Sequence, residues 1–291
     1  MNLAVPPGGL GNALAIGAGT GSLFEDTAQL GMPQLCLGGL SEAWLLKELG
    51  HRHWMLLARL AGHAAPDFRD VDGAPVYAAF CALSIRDAAF GVLGENDRLT
   101  LHSDLMRVSR TQFLSRHRLT AKGRAMGTVE LVSTFIRRSA TGNHAVARVA
   151  IETLPPPLAS PAAGLAGLAA DMRAERMDTY KDFDLRRRTT TEAVEIEPCP
   201  AQDFNGAGFL YFPSFIAFVD RAEWQFETCR APRATTIHRD VFFYGNVDPG
   251  EKVRVSRHDT RRGEGRLAHH CRLERASDGV RLADAFTLRR V

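Results

Sequence analysis

The chain has 291 residues, 45% of them hydrophobic and 24% charged, with a formal net charge of +3. That is an ordinary globular composition, long enough for two domains or one large one, and able to bury a sizeable core without disulfides or metals. No Lys/Arg block is long enough for a nucleic-acid arm, and no run of about 18 apolar residues predicts a membrane span.

In chain order, residues 1–30 are rich in Gly and Ala early on and lack the cluster of positive charge of a signal peptide, so they read as a flexible leader. Gly17-Ala18-Gly19-Thr20-Gly21 has no strand–glycine–helix unit around it and is not read as a nucleotide loop. Gly38-Gly39-Leu40-Ser41-Glu42 then opens a helix. Leu45, Leu49, Leu56 and Leu60 recur with helical spacing, joined by Leu46, His53 and Leu57. Ser41 supplies the N-cap and Gly62 the stop signal. Strand patterns follow at 75–86, 98–119 (long enough to bend), 127–137 and 145–153, with Thr141-Gly142-Asn143 as a hairpin turn.

The clearest break is Leu154 to Ala170, where three consecutive prolines cannot continue a sheet. It marks a linker, 154–172, between halves at 31–153 and 173–291. The second half repeats the order of the first. Asp203-Phe204-Asn205-Gly206-Ala207-Gly208 precedes a helix carrying Phe212, Phe215, Ile216, Val219, Ala222 and Phe226, with Pro213 in its first turn. Strands are expected at 236–246, 251–259, 267–274 and 280–288. Asp248-Pro249-Gly250, 262–265 and Ser277-Asp278-Gly279 turn between them. On the third of these strands, Leu267, His269, Cys271 and Leu273 share one face, and the alternation leaves one of His269 and His270 exposed. A helix that apolar must be enclosed, and a curling antiparallel sheet is the natural enclosure. The expected fold is therefore α+β, a double hotdog: two long helices, each wrapped by a curved antiparallel sheet.

Five cysteines, Cys36, Cys81, Cys199, Cys229 and Cys271, are scattered with no C-x-x-C pair. This argues against zinc and against a disulfide framework, and fits a reduced, cytoplasmic setting. His51 and His53 fall on different helix faces, so no metal site is expected there. His53 reads first as a hydrogen-bonded core histidine and second as a catalyst. Arg186-Arg187-Arg188 and Arg261-Arg262 read as solvated turns, or as contacts to a phosphate such as that of coenzyme A.

The string Asp203-Phe204-Asn205-Gly206-Ala207-Gly208-Phe209-Leu210-Tyr211 resembles the D-x-N-G-H-x-N-x-x-Y opening of hotdog acyl-thioester hydrolases. There, unpaired amides at a helix start face the thioester carbonyl, where they can stabilise an oxyanion or enolate. Ala207 replaces the His, Phe209 the second Asn, and Tyr211 falls one residue early. Asp203 matches a hydrolase Asp, yet a plain turn at Asn205-Gly206 capped by Asp203 accounts for the same residues.

A longer likeness covers almost everything after residue 30. GMPQLCLGGLSEAWLLKELG at 31–50, His53-Trp54, Asp203 to Gly206, FLYFPSF at 209–215 and VDRAEW at 219–224 resemble the bifunctional acyltransferase/decarboxylase family of leinamycin-type polyketide biosynthesis. The resemblance implies an enzyme that takes methylmalonyl-CoA or malonyl-CoA, decarboxylates the acyl group and delivers it to an acyl carrier protein, with no cofactor beyond the thioester. It implies a reactive tyrosine, matched by context to Tyr77, as nucleophile or as hydrogen-bond donor to the enolate. An ordinary strand tyrosine is the other reading of Tyr77, and Tyr180, Tyr211 and Tyr244 are the alternative candidates. Ser41 and Glu42 join Tyr77 and His53 as candidate catalytic residues, with capping favoured for Glu42. Gly39, Leu40, Asp203, Asn205, Gly206 and Ala207 are the candidate substrate-binding residues. A hotdog thioesterase or dehydratase (His53 paired with Asp203) and a non-catalytic carrier-protein module are the alternatives. Monomer and homodimer both remain open.

Overall fold

The computed structural model describes residues 24–151, 154–156, 164–186, 190, 192–227 and 230–291. In the first half, β1 (Phe24–Gln29), β2 (Leu35–Cys36) and β3 (Gly39–Leu40) precede helix α1 (Glu42–Leu60). Then come β4 (Tyr77–Arg86), β5 (Arg98–Arg107), β6 (Gln112–Ala121), β7 (Arg124–Arg138) and β8 (Val146–Arg148). The second half holds α2 (Leu165–Arg173), β9 (Thr179–Tyr180), β10 (Phe183–Asp184), β11 (Glu192–Ile196), α3 (Pro200–Asp203) and α4 (Phe212–Phe226). It ends with β12 (Thr235–Phe243), β13 (Val253–Gly263), β14 (Arg266–Arg275) and β15 (Arg281–Arg290).

Eleven strands form one antiparallel sheet in the order β1-β5-β6-β7-β4-β12-β15-β14-β13-β11, with β8 added beside β7. The β4–β12 ladder therefore joins the two halves into a continuous sheet. Each half contains the same tight hairpin device. Lys122-Gly123 joins β6 to β7 and Glu264-Gly265 joins β13 to β14, all four residues at positive φ as a two-residue primed turn requires.

Both long helices lie on one face of the sheet. α1 starts as expected, with Ser41 Oγ accepting from the Trp44 amide at 3.3 Å, and ends before Gly62 at φ +74°. Its Leu45, Leu46 and Leu49 share a core with Leu83 and Leu131 of the sheet, and with Phe215, Phe218 and Val219 of α4. Further along, Leu56 and Leu57 pack with Phe113 and Phe135. The helices approach closely at Gly50, where a Cβ would lie 2.7 Å from the Tyr211 hydroxyl. α2 covers the opposite face, over Ala82, Val132, Phe242 and Phe286.

Several expectations need correction. Residues 24–29 of the supposed leader form β1, paired to β5, while 1–23 lie outside the described residues. The segment 98–119 is two strands reversing at 108–111, because Val108 and Ser109 amides bond the Gln112 carbonyl. Of the strand expected at 145–153, the described residues form Val146–Arg148, and 152–153 lie outside them. His269 and His270 are both buried, because α2 and Phe183 cover the face expected to be open. Arg187, Arg188 and Cys229 lie outside the described residues. Among the described residues no helix is long and apolar enough to cross a membrane.

Candidate functional site

β4 and β12 pair over only four positions, from Arg239↔Ile85 to Phe242↔Ala82. Beyond them β12 ends at Phe243 while β4 runs on to Tyr77, held on its other side by β7. The sheet opens between them, and a cleft of about 250 Å³ fills the gap. Tyr77 to Cys81 form one wall and Phe243 to Asn246 the other. The start of α4 closes one end, and Arg173 of α2 reaches in from the opposite face.

The inner surface is aromatic. Phe80 packs on Phe212 with ring centroids 4.3 Å apart, and Phe215 on Phe243 at 5.3 Å. The rim is the loop 205–211, which is shaped by side chains from both halves. Asn205 Oδ1 accepts from the amides of Ala207 and Phe209 at 3.0 and 3.1 Å, so its main structural work is an Asx-type turn. From β7, Arg138 donates to the Ala207 carbonyl at 2.6 Å and lies 4.0 Å above the Phe209 ring. Asn143 Nδ2 donates to the carbonyls of Gly208 and Val247 at 2.7 and 2.9 Å. Asn246 exchanges two hydrogen bonds with the backbone of Leu210. Gly206 has no atom within 4 Å of where a Cβ would stand, so that side of the loop is open to an incoming group.

Tyr77 lies in this cleft with its ring 5.7 Å from Phe209. Two other tyrosines line it. Tyr211 is pushed up to about 12 by burial and by Glu48, and burial with Asp284 raises Tyr244, whose hydroxyl accepts from Arg281 at 2.6 Å. Both are therefore neutral phenols at pH 7. Burial also raises the Cys81 thiol, against a smaller opposing effect of Arg173 and Arg148. At the first helical position of α4, the Phe212 amide has no acceptor within the helix. Among the described residues lining the cleft there is no Asp or Glu, while His144, Arg148 and Arg173 are its basic side chains.

The sequence-derived candidates separate into three places. Tyr77 and Asn205 share the cleft, with Gly206 and Ala207 in its rim loop. Asp203 belongs to the adjoining turn, but its carboxylate turns back to accept from the Cys199 amide at 2.8 Å and lines no part of the cleft. Gly39, Leu40, Ser41 and Glu42 lie at the start of α1, which faces the other end of β12. There a Cβ on Gly39 would meet the Phe90 carbonyl at 2.2 Å, so the backbone is already covered. Glu42 ion-pairs with the fully buried Arg239 at 3.1 Å and accepts from the Thr236 hydroxyl. Arg239 in turn holds Asp220 at 2.7 Å. Burial alone would raise that carboxyl, yet Arg239 and Arg289 keep it below its ordinary range. His53 is enclosed at mid-helix, bonded to Ser115 and Ser133 at 2.7 Å each, and burial lowers its pKa to about 3. Neither ring nitrogen is free to pair with Asp203.

His144, Asp248 and Glu251 have ligand atoms within 4.8 Å of one another, but the group is already bonded internally, His144 Nε2 to Glu251 at 2.7 Å. Arg138, Asn143 and Asn246 were not singled out from sequence as site residues. Asn143 lies in an expected turn and Asn246 at the end of an expected strand, and no local pattern ties either to a loop 65 or 36 residues away.

No protein-family model and no curated protein matches the sequence. Among solved structures the chain is similar to the 12:0-ACP thioesterase from Umbellularia californica, with TM-score 0.65 at 9% identity over 92% of this chain and 94% of that one. It is also similar to an acyl-ACP thioesterase from Bacteroides thetaiotaomicron, with TM-score 0.58 at 10% identity over 92% and 97%. At such identities the likeness establishes the fold, and that fold is a hotdog.

Proposed function

We propose that the chain is an enzyme acting on acyl thioesters, built as two hotdog units fused through the β4–β12 ladder. Its reaction is decarboxylation of a malonyl-type acyl group, from methylmalonyl- or malonyl-CoA, with transfer to an acyl carrier protein. The observation that carries this reading is a cleft with tyrosines and arginines but no carboxylate among its described lining residues. Carboxylate-assisted hydrolysis needs an acidic residue at the reacting carbon as base or nucleophile. Loss of carbon dioxide does not. The carbon–carboxylate bond breaks, its electron pair moves into the thioester carbonyl as an enolate, and the α-carbon then takes up a proton. The groups needed are donors to the enolate oxygen, and the Tyr77 hydroxyl with the arginines of the cleft lining can serve as such donors. For the transfer step the family resemblance implies a tyrosine whose oxygen attacks the thioester carbon and expels the CoA thiolate, before the carrier-protein thiol displaces the tyrosine oxygen in turn; Tyr77 is the candidate, since Tyr180 is bonded to Asp240 and Tyr244 to Arg281.

Thioester hydrolysis is the second reading. It is favoured by the whole-chain likeness to acyl-ACP thioesterases and by the His144–Glu251 contact, a histidine at the rim oriented by a carboxylate. Intact-mass spectrometry of a carrier protein after incubation with enzyme and methylmalonyl-CoA separates the two. A propionyl carrier protein that is absent with Tyr77→Phe supports the first reading. Free CoA with unloaded carrier supports hydrolysis, and no change in either species contradicts both.

A further inference from the structure

Tyr77, Ile136 and Arg148 stand in one cross-strand row, Tyr77 opposite Ile136 and Ile136 opposite Arg148. Ser133 bonds His53 and Phe135 packs under α1, so by alternation Ile136 and its row point to the other face. That is the face α2 covers, and Arg173 lies in the last turn of α2. Arg173 is fixed there by donating to the carbonyls of Phe243 and Tyr244 at 2.8 and 3.3 Å, with its guanidinium 5.6 Å above the Tyr244 ring. Arg148 and Arg173 both line the cleft.

From this convergence we propose that Arg148 and Arg173 form an oxyanion-binding site at the mouth of the cleft, receiving a carboxylate or phosphate of the substrate. Among the described residues neither arginine has a carboxylate within ion-pairing distance, whereas nearby Arg281 is held by Asp284 and Glu175. Burial lowers the pKa of Arg173 and the charge of Arg148 lowers it further. Two like charges held together in a partly desolvated site are unfavourable alone, and an anion between them offsets both effects. Guanidinium is suited to the task, since it binds carboxylate or phosphate through two parallel N–H donors. The identity of the ligand rests on the thioester reading; the charge arrangement does not.

The test uses four stable thioethers, S-(2-carboxyethyl) and S-propyl derivatives of coenzyme A and of pantetheine, titrated calorimetrically into wild type, Arg148→Gln and Arg173→Gln. Each variant should weaken anion-bearing probes about tenfold or more, as loss of a charge-assisted hydrogen bond implies. S-propyl-pantetheine, which carries neither anion, should bind all three proteins alike. Loss that follows the carboxyethyl group identifies the acyl carboxylate, and loss that follows coenzyme A over pantetheine identifies the phosphate. Arg148→Lys should recover part of the affinity. Equal affinities of wild type and variants for every probe, or an equal loss on all four, overturn the site while leaving the thioester reading in place. A wild type that binds none of the four overturns both.

Discussion

At His53 both ring nitrogens meet buried serine hydroxyls and the ring is edge-on to Phe80, which separates it from the cleft. A histidine held at about 3 in the folded chain and near 6.5 when unfolded makes stability depend on pH. The unfolded chain binds the extra proton, so this contribution is complete above about 6.5 and is lost as pH falls towards 3. Between pH 7 and pH 5 the loss from His53 alone is about 2 kcal/mol. Urea denaturation at the two pH values should show a steep slope for wild type and a shallower one for His53→Gln; equal slopes would remove His53 from the account. Tyr77 calls for the opposite outcome. Tyr77→Phe should leave the unfolding free energy within about 0.5 kcal/mol, as for a half-buried residue away from a network, and should abolish turnover.

At the scale of the element, the sequence marked the long helices well and the site poorly. α1 and α4 carry apolar periodicity, a serine cap, an early proline and a stop glycine, all local signals. The strand at 98–119 was misread because its turn, 108–111, contains no glycine or proline. Loop 205–211 was legible as a turn from Asn205-Gly206, but its tethers come from β7, the β7–β8 turn and the β12 end, which only the folded sheet brings near. Asn143→Ala would leave the Gly208 and Val247 carbonyls without their donor, at a cost of about 1–3 kcal/mol. Hydrogen exchange in 203–211 should then quicken while α1 stays protected. Gly50 is a packing case. Alanine gains about 1 kcal/mol in helix propensity, but its Cβ would meet Tyr211 and Phe212 at 2.7 and 2.8 Å. Overpacking of that kind costs about 1–3 kcal/mol. Gly50→Ala should therefore lower the denaturation midpoint and disturb two residues that line the cleft; an unchanged midpoint would show that α1 and α4 can separate freely.

For the whole molecule, the decisive feature is where one continuous sheet parts. The two apolar helices and most of the strands could be read from the sequence. The short four-pair ladder between β4 and β12 could not, because it depends on register rather than residue type. That gap brings Tyr77 of the first half against Phe209 of the second, and leaves the start of α1 closed by its own packing. The related helix starts are therefore unequal: one faces a cleft and the other a buried ion-pair network through Glu42 and Arg239. Decarboxylation of a thioester at Tyr77 can be followed by chromatography of methylmalonyl-CoA incubated with wild type and Tyr77→Phe. Wild type should give propionyl thioester and carbon dioxide, and the variant neither. Methylmalonate with free CoA, or equal turnover by the two proteins, would contradict it.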